Sequence, residues 1–202
     1  MNSSRLTRPI YDQIAADFAA QTQQVSPGLS ASAQAFVQAM PPQARLLDLG
    51  CGPGRDLAFF AAHDLRTFGL DLSRGMLRLA KHTTPSALMQ GDMLNLPLPT
   101  NTLDGIWCCA ALLHLPRALT PQALNEMRRT LKPDGLLFLS VKQGQGEGME
   151  SDPSNNWPAR FYTRYTMEEM ADLLIGAKFA LLEQNYDETP RNRWLRFLAK
   201  AT

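Results

Sequence analysis

At 202 residues the chain is long enough to bury one core without disulfides or metals. Its 45% apolar and 19% charged residues exclude a disordered polypeptide, and a net charge of +1 leaves no basic field for a nucleic-acid backbone. The three cysteines, Cys51, Cys108 and Cys109, have neither the even count of a disulfide framework nor the spacing of a zinc site, so no metal is expected.

In chain order, residues 10–20 and 30–40 read as two helices laid over the domain. Residues 46–49 form a short apolar run ended by glycines, as a buried parallel strand requires, and a helix starts over 56–62. Strands follow at 67–70 and 87–89, with a helix through Met76, Leu77, Leu79 and Ala80 between them. Leu103 to Cys109 is the fourth strand, and 121–131 is a helix with Thr120 as its N-cap and Pro121 in its first turn. Lys132-Pro133-Asp134-Gly135 is read as a break before a fifth strand at 136–141. Thr166 caps a helix over 167–175, with Glu169 at the capping-box position. Two apolar strands at 179–186 and 194–198 flank a polar loop containing Pro190.

The alternation predicts an α/β fold: βαβ units, a parallel sheet and helices on both faces. Two final strands without a helix between them predict an antiparallel hairpin at one edge. A single domain over 1–202 is expected, with covering helices in 1–44 and the core in 45–202. The Gly-rich stretch at 144–148, followed by Asn155 and Asn156, reads as one long irregular segment. Arg191, Arg193, Arg196 and Lys200 read as a solvated face. The opening MNSSRLTRPIYDQ lacks an apolar signal core and no run of about 18 apolar residues exists, so a cytoplasmic protein with no membrane span is expected.

The chemistry concentrates in Leu46-Leu47-Asp48-Leu49-Gly50-Cys51-Gly52-Pro53-Gly54-Arg55. Glycines between strand and helix let the backbone turn sharply and let a ligand approach the main chain. The spacing is GxGxG, with Arg55 where a dinucleotide fingerprint has its third glycine. Asp48, inside the strand, would repel a pyrophosphate but attract an ammonium group.

This block resembles the first motif of the class I S-adenosylmethionine-dependent methyltransferases, and three further signatures follow in order. Phe68-Gly69-Leu70-Asp71-Leu72-Ser73 resembles the second-strand signature, Gly91-Asp92-Met93 the third, and Leu103 to Ala110 with Leu113-His114-Leu115-Pro116 the fourth strand and its loop in small-molecule members. The resemblance implies a Rossmann-like, doubly wound, mostly parallel seven-stranded sheet binding S-adenosylmethionine and releasing S-adenosylhomocysteine. It implies that Asp48 helps hold the methionine moiety and that Gly50, Cys51, Gly52, Gly54 and Arg55 form the loop beside the cofactor. Asp71 would bind the ribose hydroxyls and Asp92 the adenine amino group. Leu72, Met76, Met93 and Cys109 would line the site, although methionine and buried cysteine serve equally as core filler. Tyr11-Asp12-Gln13-Ile14-Ala15 resembles an N-terminal segment that closes over the cofactor, which places Tyr11 in the site.

Methyl transfer from a sulfonium is an in-line displacement, so the protein chiefly aligns the reactants and excludes water. A base is needed only when the acceptor must lose a proton, and His114 is either that base or a structural histidine. Lys142 and Glu147 leave strand five toward the active face, and Arg160 returns among aromatic residues. They form either a pocket for a small anionic or aromatic acceptor or a solvated loop. Cys108-Cys109-Ala110-Ala111 stands where an Asn/Asp-Pro-Pro-aromatic motif would mark nucleobase or protein-amide substrates. The expected partner is therefore a small methyl acceptor, in a monomer or homodimer. Two rivals remain: a non-catalytic S-adenosylmethionine-binding module, and a nicotinamide (NAD)-dependent oxidoreductase.

Overall fold

The computed structural model describes residues 4–151, 156–189 and 192–202, with residues 4–6 as backbone only. Asn155, Pro190 and Arg191 lie outside the described residues. Helices α1 (Ser4–Gln21) and α2 (Pro27–Gln38) precede β1 (Arg45–Leu49), α3 (Arg55–Ala61), β2 (Arg66–Asp71), α4 (Arg74–Thr83) and β3 (Ala87–Gln90). Then come β4 (Leu103–Cys109), α5 (Thr120–Thr130), β5 (Leu131–Lys142), β6 (Glu147–Glu150), β7 (Arg160–Thr163), α6 (Met167–Gly176), β8 (Phe179–Glu188) and β9 (Arg193–Ala201). No described helix is long and apolar enough to cross a membrane.

Seven strands form one sheet in the order β3-β2-β1-β4-β5-β9-β8. The first five pair in parallel, and β9 runs antiparallel to both β5 and β8. This is the mostly parallel sheet with a C-terminal hairpin that the alternation predicts. Strand order reverses between β1 and β4, so their carboxyl ends flank the crevice where ligands bind in such sheets.

Alternate residues of the central strands feed two apolar layers. Leu46, Trp107 and Phe138 face α2 and α3, through Phe36 and Phe60. Leu47, Ile106, Leu137 and Leu139 face α5 and α6, through Leu124, Met127, Met170 and Leu174. Trp107 is the keystone of the first layer: it stacks on Phe138 at 3.7 Å and meets Phe36 and Phe60 edge-on at 5.5 and 5.1 Å. Its indole Nε1 donates to Asp56 Oδ2 at 2.9 Å, which satisfies the polar end of a fully buried ring.

Four details differ from the sequence reading. Helix α2 is a core layer rather than a cover, because Phe36 is buried against the sheet. The Lys132 to Gly135 turn lies inside β5 as a bulge: Leu103 pairs with Leu131 but Gly105 with Leu136, and Asp134 takes φ 63° to accommodate the extra residues. Thr120 begins α5 instead of capping it. A 3-10 turn over Arg117–Leu119 runs straight into the helix, with Leu119 N donating to the Pro116 carbonyl and Thr120 N to that of Arg117, and the Thr120 hydroxyl bonds Tyr165. The irregular segment contains a two-stranded antiparallel ladder, β6 with β7, pairing Glu147 with Thr163 through Glu150 with Arg160.

Replacing Trp107 by Phe keeps most of the ring packing but leaves Asp56 Oδ2 without its donor. The expected loss is about 1–3 kcal/mol, read as a lower urea midpoint. An unchanged midpoint would show that the indole bond contributes nothing net.

Candidate functional site

A cavity of about 480 Å³ opens at the carboxyl ends of β1, β2 and β4 and is roofed by α1 and the segment leading into β7. Its floor is the glycine loop. The amides of Gly50 and Cys51 both donate to the Leu70 carbonyl, at 2.7 and 3.1 Å, and the Gly52 amide donates to Asp71 Oδ2 at 2.9 Å. Gly50 takes φ 78°, and a Cβ there would stand 2.3 Å from the Ala111 Cβ. Gly52 takes φ 52°, and a Cβ there would meet no protein atom within 4 Å. It would project into open space, where a ligand fits.

Three carboxylates face this end. Asp71 accepts from Ser73 N at 2.8 Å as well as from Gly52, and burial raises its pKa. Asp92 holds a turn by accepting from Leu94 N at 3.0 Å while also lining the cavity. Asp48 is only 2% exposed, and its Oδ2 has no hydrogen-bond partner. Burial, with Asp56 and Asp71 nearby, pushes its pKa well above the carboxylate range. A cation brought to Asp48 would reverse that penalty. Arg55 lies alongside, pairing with Asp56 at 2.6 Å and donating to the Thr22 carbonyl at 2.8 Å, just past α1.

The opposite end is aromatic and cationic. Tyr11 and Phe18 sit two helical turns apart on α1, with rings 5.4 Å apart, and Phe18 meets Trp157 at 5.7 Å. His114 bonds the Phe161 carbonyl through Nδ1 at 2.8 Å, which places its proton on Nδ1, so Nε2 accepts from the Tyr11 hydroxyl at 2.8 Å. Burial, with Arg160 and Lys142 nearby, depresses the His114 pKa to about 4. Lys142 Nζ lies 3.8 Å from the Tyr162 ring centre and 4.0 Å from Glu150.

The comparisons agree with this architecture. A family model described as a methyltransferase domain matches residues 47–139, from β1 through β5. The 2-phytyl-1,4-naphtoquinone methyltransferase of Synechocystis is 36% identical over 154 residues, covering 66% of this chain and 63% of that protein. The matched domain, the methyltransferase relatives and the S-adenosylmethionine-dependent methyltransferase structures together support the class I S-adenosylmethionine-dependent methyltransferase family. Among solved structures, the 1,6-didemethyltoxoflavin-N1-methyltransferase of Burkholderia thailandensis, with bound 1,6-didemethyltoxoflavin and S-adenosylhomocysteine, superposes with a TM-score of 0.68 at 22% identity, over 94% of this chain and 87% of that one. The [4+2]-cyclase SpnF superposes at 0.75 and 17% identity, over 98% and 95%. Both show the fold alone. The chain spans less than two thirds of most of the curated relatives it matches.

The cavity gathers nearly every residue singled out in the sequence. Tyr11, Asp48, Gly50, Cys51, Gly52, Arg55, Asp71, Leu72, Met76, Asp92, Met93, Cys109, His114, Lys142 and Arg160 line it. Gly54 and Glu147 stand outside the lining. Gly54 leads into α3 at φ 89°, where a Cβ would stand 3.1 Å from the Ala80 Cβ. Glu147 accepts from Arg117 N at 2.6 Å and from the Thr163 hydroxyl at 3.1 Å, tying the β6–β7 ladder to the loop after β4. The thiols carry no nucleophile: burial pushes Cys108 up to about 12 and raises Cys51 and Cys109 as well. Phe18, Trp157 and Trp194 line the cavity without having been singled out. The seven-residue spacing of Tyr11 and Phe18 on one helix carries that signal for Phe18. Trp157 lies in a stretch without periodicity.

His114 also sets a pH dependence. Its folded pKa, about 4, lies below the ordinary 6.5, so protons bind the unfolded chain preferentially. The neutral-histidine contribution is full above pH 6.5 and is lost as pH falls toward 4. Between pH 7 and 4.5 it should remove about 2–3 kcal/mol of stability. Urea midpoints of His114→Gln should lose that part of the acid sensitivity, and an identical pH profile would refute it.

Proposed function

We propose that this domain methylates a small organic acceptor with S-adenosylmethionine, both held in the one cavity. The observation that carries the reading is the buried Asp48 Oδ2, unpartnered, beside the open space above Gly52. An α-ammonium group supplies the charged donor that this oxygen lacks. Asp71, fixed by two backbone amides, keeps lone pairs for ribose hydroxyls. Asp92 has one oxygen engaged with Leu94 and the other to accept from an adenine amino group. Leu72, Met76, Met93 and Cys109 supply apolar walls, and Arg55 ties this floor to the end of α1.

The cofactor supplies a methyl group already activated on a sulfonium, so an acceptor lone pair displaces the thioether without further activation. What remains for the protein is alignment and exclusion of water. Tyr11, Phe18 and Trp157 shield the acceptor end. At neutral pH His114 presents an unprotonated Nε2, now occupied by the Tyr11 hydroxyl. An acceptor O–H or N–H replacing that hydroxyl would pass its proton to Nε2. A histidine with a pKa near 4 is a weak base, which suits an acceptor that needs little activation.

Two rivals have definite signatures. Asp48 argues against NAD, since an acid behind the loop repels a pyrophosphate. A fold that also serves a [4+2]-cyclase does not by itself give methyl transfer. Calorimetric titration should find S-adenosylmethionine and S-adenosylhomocysteine binding and no NAD binding. Asp71→Ala should weaken both by at least about tenfold, the order expected for hydrogen bonds to a charged group. Binding of neither sulfur compound would end the proposal. A second prediction concerns Gly52→Ala, whose methyl group meets no protein atom. Beyond about 1–2 kcal/mol of backbone strain the fold should tolerate it, while cofactor affinity falls. Equal affinity would place the ligand elsewhere. Release of S-adenosylhomocysteine with a panel of small acceptors separates an enzyme from a binding module.

A further inference from the structure

At the acceptor end of the cavity lies a cation with no counter-charge. Arg160 opens β7 and is only 5% exposed, yet among the described residues it forms no ion pair, and its Nε has no hydrogen-bond partner. One terminal nitrogen reaches the Tyr11 hydroxyl at a long 3.4 Å. The rings of Trp157, Tyr162 and Tyr11 lie 5.0, 5.5 and 5.6 Å from the guanidinium carbon. Rings attract a cation through their faces but offer Nε no lone pair in the plane of the guanidinium. Burying such a group without an anion is unfavourable unless a ligand brings one.

The surrounding charges leave that anion missing. Glu150 is the nearby carboxylate, and Arg164 holds both its oxygens at 2.8 Å. Lys142 reaches it only at 4.0 Å. Arg160 is therefore left facing the cavity without a carboxylate partner among the described residues, which calls for an anionic ligand. The edge of a guanidinium pairs with a carboxylate through two parallel hydrogen bonds. The walls on this side, Tyr11, Phe18, Trp157 and Tyr162, are aromatic and suit a flat ring.

We infer that the acceptor is a small aromatic carboxylate, its carboxylate bound by Arg160 with Lys142 alongside and its ring among Tyr11, Trp157 and Tyr162. The inference rests on the proposed methyl transfer for its consequence: a sulfonium in the same cavity adds a further cation, and an anionic acceptor lowers the net positive charge there. The low pKa of His114, to which Arg160 and Lys142 contribute, agrees with a positive field there.

The test uses the full chain, saturated with S-adenosylhomocysteine, titrated with benzoate, phenylacetate and indole-3-acetate and with the neutral carboxamide of each. At least one carboxylate should bind about tenfold or more tightly than its amide, the order expected for one charge-assisted contact. Arg160→Gln should abolish that preference while still binding S-adenosylhomocysteine, which reports that it has folded. Lys142→Gln, at a more exposed side chain, should reduce the preference by a smaller factor and serves if the Arg160 variant does not fold. Equal binding of acids and amides, a preference that survives Arg160→Gln, or no binding of any acid at millimolar concentration would overturn the inference. Failure of S-adenosylhomocysteine itself to bind would instead strike the methyl-transfer reading, and the same acid–amide comparison on the free protein would still judge the carboxylate site.

Discussion

The Gly52 amide donates to the Asp71 carboxylate, and two residues earlier the Gly50 and Cys51 amides converge on the Leu70 carbonyl. These three bonds sew the loop after β1 to the end of β2, and the cavity depends on them. They hold the loop in left-handed backbone that glycine alone adopts without strain. They leave the space above Gly52 open and fix Asp71 at its edge. They also explain why the loop lies so close to Ala110 and Ala111 after β4: at Gly50 there is no room for a methyl group. Ala110 itself takes φ 53°, so the β4 side of the crevice is bent to meet the loop.

The cavity is electrically divided. Asp48, Asp71 and Asp92 stand at the glycine-loop end with the Arg55–Asp56 pair, and Arg160 and Lys142 stand at the other. In a low-dielectric enclosure such an arrangement orients a dipolar occupant before any close contact forms. Among these groups Asp48 Oδ2 and Arg160 Nε lack a hydrogen-bond partner, one from each end. Most buried polar groups in folded proteins are paired, so the unpaired Asp48 Oδ2 and Arg160 Nε, with Arg196 Nε also unpaired in the lining, bear on what enters the cavity. The first two ask for a cation beside the loop and an anion beneath the aromatic roof.

The central sheet was legible because each strand is a short apolar run bounded by turn residues and every crossover but the one from β3 to β4 carries a helix. Leu103–Cys109 came out residue for residue, and the Thr166–Glu169 capping box is present as read. The floor of the cavity was legible for a different reason: glycines and acids at strand ends have few structural substitutes. What escaped was tertiary. Whether a helix covers the sheet end or packs on its face depends on which neighbours Phe36 finds, and the sequence of α2 does not say. Thr120 lies inside its helix because a 3-10 turn runs into it from Arg117–Leu119, a continuation that residues 117–119 do not announce in the sequence. The β6–β7 ladder has too few residues for a period, and glycines at 144, 146 and 148 mask it. The basic C-terminal cluster was only partly a solvated face. Arg193 pairs with Glu188 and Lys200 with Asp134, but Arg196 turns inward to Ser32 and lines the cavity.

The cover is tied to the same strand end as the floor. Asp12 on α1 accepts from the Ser73 hydroxyl and the Gly75 amide, each at 2.7 Å, and Gly75 has no room for a side chain against the Asp12 backbone. Ser73 in turn caps α4 through the Met76 amide and donates its own amide to Asp71. A single chain of bonds thus runs from the glycine loop through Asp71 and Ser73 to α1, and α1 carries Tyr11 to His114. At the far end of the cover, the Ser26 hydroxyl donates to Asp187 on β8, so the start of α2 is anchored to the edge hairpin. The residues that hold Asp71 at the loop end are thus bonded to the helix that carries Tyr11 at the other.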